Sequence, residues 1–355
     1  MRYNYLGTTK IKLSIIGLGT MTFGEQNSQT ESYSLMDYAF ERGVNFFDTA
    51  EMYPIYPKEE TSGDSERILG NWIKNNKLRD KVIIGTKIAS KNEGGIGATK
   101  LKWIRKGGEN LTFSKNNIFK AVDKSLKRLQ TDYIDLYQLH WPERKVGMFG
   151  KLDFEYDSLD TWTPFLEVLD SLEELIKIGK IRHIGLSNET PWGVMKFLEY
   201  SRENKQPRIM TVQNAYSLVN RVFDIANSEV AIREKCGLLA YSPIAGGRLS
   251  GKYINNARPE KTRYSMWPGR FSRHLTHRGE IAVSKYVKLA KKYNIKPSTF
   301  AHAFVISRPF VTSSIMGATS IENLKENLNC LNVNLTKEIL DEINEIHLLD
   351  PNPCV

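Results

Sequence analysis

Eight short apolar segments recur along the chain, and longer stretches with the periodicity of amphipathic helices separate them. Each segment is almost continuously hydrophobic rather than alternating, which is typical of parallel strands buried on both faces. The segments are IIGLGT (15–20), NFFDTA (45–50), KVIIGTK (81–87), YIDLYQLH (133–140), RHIGLSN (182–188), IMTVQN (209–214), LLAYSP (238–243) and VTSSIMGAT (311–319).

The stretches between these segments carry the signals of helices. DSERILGNWIKN (64–75) and SKNNIFKAVDKSLKRL (114–129) each place their apolar residues on one face, behind polar residues that favour a helix start. PFLEVLDSLEELIKIGK (164–180) has an apolar stripe of the same kind, with Pro164 in the first turn and Gly179 as the stop. The alternation therefore predicts strand–helix units throughout.

Eight strand–helix units in this order predict a parallel sheet. For 355 residues, the expected closure is a (β/α)8 TIM barrel, with an open doubly wound sheet as the alternative. No linker divides the chain, so residues 1–355 are predicted to form a single domain. RYNYLGTTKIKLS (2–14) resembles an N-terminal β-hairpin around Gly7, placed under the barrel. Three long βα loops are predicted to follow strands, at 88–113, 141–163 and 243–277.

Composition places the chain among ordinary globular proteins, with 41% hydrophobic and 25% charged residues. Neither a signal-peptide-like start nor an apolar run of membrane-spanning length occurs, so we expect a cytoplasmic protein without a membrane partner. The three cysteines lie far apart, as reduced thiols do. The net charge of +10 is spread over helical faces without interleaved aromatic residues, so no nucleic-acid partner is predicted. The oligomeric state stays open.

Charged and polar residues stand where the apolar segments end. Asp48, Lys87 and His140 close three consecutive segments, and Tyr53 follows Asp48 by five residues. In a parallel barrel these ends meet at one mouth, where an unpaired charge is costly. A lysine beside a tyrosine lowers the pKa of the phenol, and a histidine orients a substrate oxygen. The set predicts proton delivery to a carbonyl, with hydride from a nicotinamide or flavin.

The common nucleotide-binding motifs are missing from the sequence. GLGTMTFG (17–24) lacks the third glycine of the dinucleotide fingerprint, and no GxxxxGK[ST] occurs. The glycine-rich SPIAGGRLSGKY (242–253) and the helix-opening GATSIENLKEN (317–327) are the candidates for holding phosphates. No HExxH motif occurs, and no metal site is predicted.

Taken together, the sequence motifs of this chain resemble those of the aldo-keto reductases. FFDTAEMY, IIGTK and DYIDLYQLHWP are similar to the contexts of that family's catalytic tetrad, and GKIRHIGLSN, QNAYSL and IMGATSIENLKEN follow in the family's order. The resemblance covers essentially the whole chain. GTMTFGEQNS, EMYP and SLKRLQTDY further resemble the bacterial Tas-type branch of the family.

The resemblance implies a role for each matching position. Tyr53 would be the general acid, Lys87 and Asp48 would support it, and His140 would orient the carbonyl. Met52, Trp103 and Trp141 are the predicted walls of the substrate pocket, with packing in the core as the equal alternative for each one. The residues implied in cofactor binding are Gly19, Thr20, Met21, Ser187, Asn188, Gln213, Tyr241, Ser242, Pro243, Ile244, Gly247, Leu249, Lys252, Gly317, Thr319, Asn323 and Asn327.

The implied function is NADPH-dependent reduction of small aldehydes or ketones. The alternative is a nucleotide-bound regulatory subunit of the same fold with little turnover, since such a protein would share every site residue. NADH is not excluded, because Gly317 and Asn323 stand where many relatives carry the cations that hold the 2′-phosphate. Arg248, Lys252 and Arg258 are alternative sources of that charge.

Overall fold

The computed structural model describes residues 1–91, 101, 103–105, 111–269 and 271–355. Eight parallel strands close into a barrel in the order β10-β3-β4-β5-β6-β7-β8-β9, which confirms the (β/α)8 prediction over the open sheet. An antiparallel hairpin of β1 and β2 precedes them. The strands are β1 (Tyr3–Tyr5), β2 (Lys12–Ser14), β3 (Ile16–Gly19), β4 (Phe46–Asp48), β5 (Ile83–Ile88), β6 (Ile134–Leu139), β7 (Ile181–Ser187), β8 (Ile209–Ala215), β9 (Leu238–Tyr241) and β10 (Val311–Met316).

Helices lie between the strands and after the last of them. They are α1 (Gln29–Glu41), α2 (Asp64–Asn75), α3 (Lys115–Leu129), α4 (Phe165–Lys177), α5 (Pro191–Asn204), α6 (Asn227–Arg233), α7 (Arg263–Met266), α8 (His277–Lys292), α9 (Pro297–Ile306), α10 (Ile321–Leu328) and α11 (Lys337–Leu349). In the part of the chain that the structure describes, no helix has the length and apolarity needed to cross a bilayer.

The predicted helix boundaries agree with the structure to within about one residue. Asp64 is the first residue of α2, while its N-cap is Gly63. Pro164 is the N-cap of α4 rather than a first-turn residue. Gly179 follows the C-cap Ile178 and has φ +79°, the left-handed conformation that ends a helix at a glycine.

Alternation along β4 explains how an apolar strand carries a carboxylate. Phe47 points outward and packs on Trp72, with ring centroids 5.1 Å apart. Phe46 points into the barrel, where it packs with Leu6 and Leu13 of the hairpin. The hairpin thus closes the barrel interior from below, as predicted. Asp48 is two residues beyond Phe46 and shares its inward face at the opposite, carboxyl end of the strand.

The first and third of the long loops differ in how many of their residues the structure describes. Most of the first, 88–113, lies outside the described residues. The third, 243–277, contains α7 and short 3₁₀ turns. The C-terminal tail is anchored beside it, because Thr276 Oγ1 donates to the Pro353 carbonyl at 2.8 Å and Cys354 is buried.

Gly70 sets the approach of α2 to α3, and its replacement tests this packing. A Cβ at Gly70 would lie 2.5 Å from the backbone C and O of Leu129. Gly70→Ala should therefore lower the free energy of unfolding by about 1–3 kcal/mol through overpacking, although helix propensity alone favours alanine by about 1 kcal/mol. Urea unfolding measures the difference.

Asn75→Ala, at an exposed position of the same helix, is the matched control and should be neutral or slightly stabilising. A stabilised Gly70→Ala protein would contradict the close packing of the two helices.

Candidate active site

The four residues predicted at the strand ends meet at the carboxyl end of the barrel. Lys87 Nζ donates to Asp48 Oδ2 at 2.6 Å and to the Thr49 carbonyl at 2.6 Å. Both side chains of the pair are almost fully buried. Burial lowers the pKa of Lys87, and the adjacent Asp48 carboxylate opposes that change. The pair holds a lysine rigidly inside the barrel mouth.

The second oxygen of Asp48 accepts from two amides. Gln213 Nε2 lies 2.8 Å and Gln138 Nε2 3.2 Å from Asp48 Oδ1. Gln213 was predicted to bind a nicotinamide, whereas Gln138 was missed. Its signal was present in the sequence, because Gln138 interrupts an apolar strand two residues before His140 and so shares its inward face.

Tyr53 lies over this pair. The Lys87 Nζ is 5.0 Å from the centroid of the phenol ring. Burial raises the pKa of Tyr53 well above its ordinary value, and Asp48 and Tyr241 raise it further. The shift is opposite to the one expected from the Lys87 charge, because burial is the largest influence on this phenol. The phenol is consequently protonated at neutral pH.

His140 faces the ring of Tyr53 edge-on, with centroids 5.7 Å apart. Its position is fixed because its carbonyl accepts from Asn188 Nδ2 at 2.8 Å and its amide donates to Ile88. Burial, and then the charge of Lys87, hold the pKa of His140 well below its usual range. Its buried Nδ1 has no hydrogen-bond partner among the residues that the structure describes. A neutral imidazole in this place has one N–H to offer a ligand.

A cavity of about 610 Å³ extends from these side chains to α10. Of the four predicted catalytic residues, Asp48, Tyr53 and His140 line it, whereas Lys87 lies behind Asp48. The structure places most of the other predicted residues on its wall, namely Met52 and Trp141 together with Gly19, Met21, Ser187, Asn188, Gln213, Tyr241, Ser242, Pro243, Ile244, Gly247, Lys252, Gly317, Thr319, Asn323 and Asn327.

Three predicted residues do not reach the cavity wall. Thr20 is buried, and its hydroxyl lies 2.6 Å from that of Ser65. Leu249 belongs to the core between the barrel and its helices. Trp103 packs against the cluster that contains Met52 without lining the cavity. The family resemblance aligns sequence positions and does not show which way a side chain points. It therefore predicted contacts that these three side chains do not make.

The shape and chemistry of the cavity fit a nicotinamide dinucleotide. Ser242, Gly246 and Gly247 have φ of 55°, 64° and 97°, so this turn follows a left-handed path of the kind that forms anion-binding nests. At the far end, a Cβ on Gly317 would meet no atom within 4 Å, which leaves room for a ligand. Near the tetrad, the Tyr241 hydroxyl donates to Asn188 Oδ1 at 2.6 Å and fixes the aromatic ring.

Three cations of the long third loop line the cavity and were missed by sequence reasoning. They are Lys261, Arg263 and Arg273. The sequence of this loop is clearly basic, but it has no long periodic element that would indicate which side chains point into the cavity. Of the three cations predicted instead, Lys252 lines the cavity, whereas Arg248 is buried and pairs with Glu280 at 2.9 Å and Arg258 is exposed outside the cavity wall.

The depressed pKa of His140 predicts that its ring stays neutral under mild acid. In the unfolded chain the ring takes up a proton below about pH 6.5. The folded state therefore loses stability as the pH falls through that value, towards the lower folded pKa. Nitrogen NMR of ring-labelled protein should show a neutral His140 down to about pH 5.

The His140→Asn variant assigns the resonance among the six histidines. A protonation midpoint of His140 at the ordinary value would contradict its burial beside Lys87.

Comparisons with known proteins agree with this geometry. The profile of the aldo/keto reductase family matches residues 15–348. The chain is 42% identical to Protein tas of Escherichia coli over all of both chains. It is 38% identical to an aldo-keto reductase of Babesia bovis, over 75% of this chain and 96% of that one.

A more distant relative is norsolorinic acid reductase B of Dothistroma septosporum, 27% identical over 99% of this chain and 82% of that one. The family match spans nearly the whole chain, which confirms the family and the Tas-type resemblance stated from the motifs. The chain belongs to the aldo/keto reductase family, and it is an oxidoreductase.

Proposed function

We propose that the protein is an NADPH-dependent reductase that converts aldehydes or ketones to alcohols, with Tyr53 as the general acid. The observation that carries this proposal is the protonated phenol of Tyr53 facing a neutral His140 above a buried Lys87–Asp48 pair. These groups line or adjoin one cavity that fits a dinucleotide. A relative named as a reductase supports the same class of reaction.

Each side chain has a part in moving one proton. The nicotinamide, when bound, supplies the hydride that no side chain can provide. The neutral His140 donates its N–H to the substrate carbonyl oxygen and orients it. Tyr53 gives its proton to the same oxygen as negative charge develops there. Lys87, held by Asp48, stabilises the phenolate that remains.

The proposed preference for NADPH rests mainly on Lys261. Lys252 lines the same cavity. The α10 end of the cavity carries Thr319 and Asn323, which the family resemblance associates with the 2′-phosphate. Lys261 lies at this end, because its carbonyl accepts from Gln26 Nε2 at 3.1 Å while the neighbouring Asn27 Nδ2 donates to the Thr319 carbonyl at 3.0 Å. A loop lysine thus offers a positive charge at the cavity wall, where Lys325 of α10 does not reach.

Replacement of Tyr53 by Phe should abolish proton delivery and keep the cavity. We expect kcat for 4-nitrobenzaldehyde to fall by roughly 10²–10⁴-fold, with the Kd for NADPH unchanged. NADPH absorbance measures turnover, and protein fluorescence measures binding. Tyr5→Phe, in the exposed part of the hairpin at the other end of the barrel, is the control.

Unchanged reduction by the Tyr53→Phe protein would contradict the assigned role. Tight NADPH binding with negligible turnover of a broad aldehyde and ketone panel by the wild type would favour the regulatory alternative.

Lys261→Ala should weaken the use of NADPH more than that of NADH. A lost charge-assisted contact to phosphate predicts an increase of about tenfold in KM for NADPH, with KM for NADH almost unchanged. Steady-state kinetics with both cofactors decide this. Lys285→Ala, exposed on α8 outside the cavity wall, should change neither constant. An equal rise in both KM values would remove Lys261 from the 2′-phosphate site.

A further inference from the structure

The arginines that are buried in the described chain each have a carboxylate partner. A guanidinium without one would be costly to remove from water. The pairs are Arg105–Glu51 at 2.6 Å, Arg221–Asp224 at 2.7 Å, Arg248–Glu280 at 2.9 Å and Arg144–Glu189.

Arg263, on the cavity wall, is only partly buried and shows no such ion pair within the described residues. Its guanidinium carbon lies 5.0 Å from the Phe271 ring centroid. Burial lowers the pKa of Arg263, and the groups that act on its charge are three tyrosines, Tyr53 among them, and Arg273. No carboxylate within the described residues is among them. A desolvated cation without an internal anion is suited to an anion that arrives with a ligand.

Arg273 reaches the catalytic end of the same cavity. Its guanidinium carbon lies 5.7 Å from the ring centroids of both Phe149 and Tyr241. Phe149 packs edge-on against Trp141 at 6.5 Å, and Trp141 lies 4.7 Å from the His140 ring. Arg273 is therefore connected to the reacting centre through two aromatic side chains of the pocket wall.

His274 positions Arg273. Burial, and then three nearby arginines, hold the pKa of His274 well below its usual range, so its ring is neutral. Its Nε2 accepts from Arg273 Nε at 3.3 Å. Because the ring accepts and carries no charge, it directs the guanidinium without neutralising it. The neighbouring Thr276 is tied to the C-terminal tail, which restrains the loop.

The acidic side chains of the cavity wall do not pair with these arginines. In the described lining, the carboxylates are Asp48 and Glu326. Asp48 is engaged by Lys87, and Glu326 accepts from Ser298 beside α10. The region around Arg273 thus combines an aromatic wall with a positive charge that no acidic side chain of the wall pairs with.

We propose that Arg273, with Arg263 beside it, binds an anionic group of the substrate, so that the preferred substrates are carbonyl compounds carrying a carboxylate or phosphate. This inference rests on the proposed reductase function. Arg263 is the less specific member, because its Nη1 also lies 3.4 Å from where a Cβ on Gly246 of the phosphate-binding turn would be. The test therefore centres on Arg273.

The experiment compares 4-carboxybenzaldehyde with 4-nitrobenzaldehyde, which have similar size and shape but differ in charge. In Arg273→Ala and Arg273→Gln, kcat/KM for the carboxylate should fall roughly 10- to 100-fold, mainly through KM. The value for the neutral aldehyde should change less than about twofold, and KM for NADPH should stay constant. Arg258→Ala, in the same loop but outside the cavity wall, should behave as wild type.

Two results would overturn the inference. One is an equal loss for both aldehydes in both variants. The other is a higher KM for NADPH with the charge preference kept, which would assign Arg273 to the cofactor.

If the wild type reduces neither aldehyde, the proposed reductase function fails. The anion subsite is then tested independently by measuring ligand binding. Calorimetry of the NADPH-loaded protein should then show benzoate binding more tightly than benzamide, with the difference lost in Arg273→Gln. Equal affinity for the two ligands would refute an anion subsite.

Discussion

The ion pair between Lys87 and Asp48 is the interaction on which the site depends. Two opposite charges lie almost fully buried inside the barrel, so each is tolerable only because of the other and of the hydrogen bonds around them. Removal of either partner of such a pair typically costs about 3–5 kcal/mol. The amides of Gln138 and Gln213 and the carbonyl of Thr49 complete the set of partners. The closed barrel is what delivers these groups from four strands and the loop after one of them.

The pair also influences the protonation of its neighbours. Burial is the main reason why the phenol of Tyr53 keeps its proton, and the Asp48 carboxylate adds to that effect. Burial likewise keeps the ring of His140 neutral, and the Lys87 cation adds to that effect. A protonated phenol and a neutral imidazole are the states that a proton donor and an orienting group require. Burial alone favours both states, and the ion pair adds to its effect. The same arrangement explains why the strand NFFD can end on a carboxylate without losing its core packing.

The sequence predicted the barrel and the four residues at its mouth, because both follow from strong local patterns. Continuous apolar segments predict buried strands, and their polar ends predict a shared mouth. The pKa of Tyr53 was misjudged, because it was inferred from the Lys87 charge without the effect of burial. Gln138 was overlooked, although its inward direction follows from its spacing to His140.

The positions of the cations in the third loop could not be predicted from local sequence patterns. Lys261 lies outside regular structure, while Arg263 and Arg273 lie in a four-residue helix and a three-residue 3₁₀ turn, which are too short for periodicity to indicate direction. The same limit explains Thr20 and Leu249, which the family resemblance assigned to the cofactor but which the structure buries away from the cavity. Side-chain direction in such segments depends on tertiary packing, here including the C-terminal tail.

The protonation state of Tyr53 is the central claim, and it can be measured directly by ultraviolet difference titration. Comparison of the wild type with Tyr53→Phe cancels the signals of the other tyrosines among the 16 in the chain. The ion-pair account predicts no phenolate absorbance from Tyr53 between neutral pH and about pH 10, the ordinary range of the phenol. Phenolate absorbance of Tyr53 near neutral pH would show that the Lys87 charge outweighs burial, and would contradict the account.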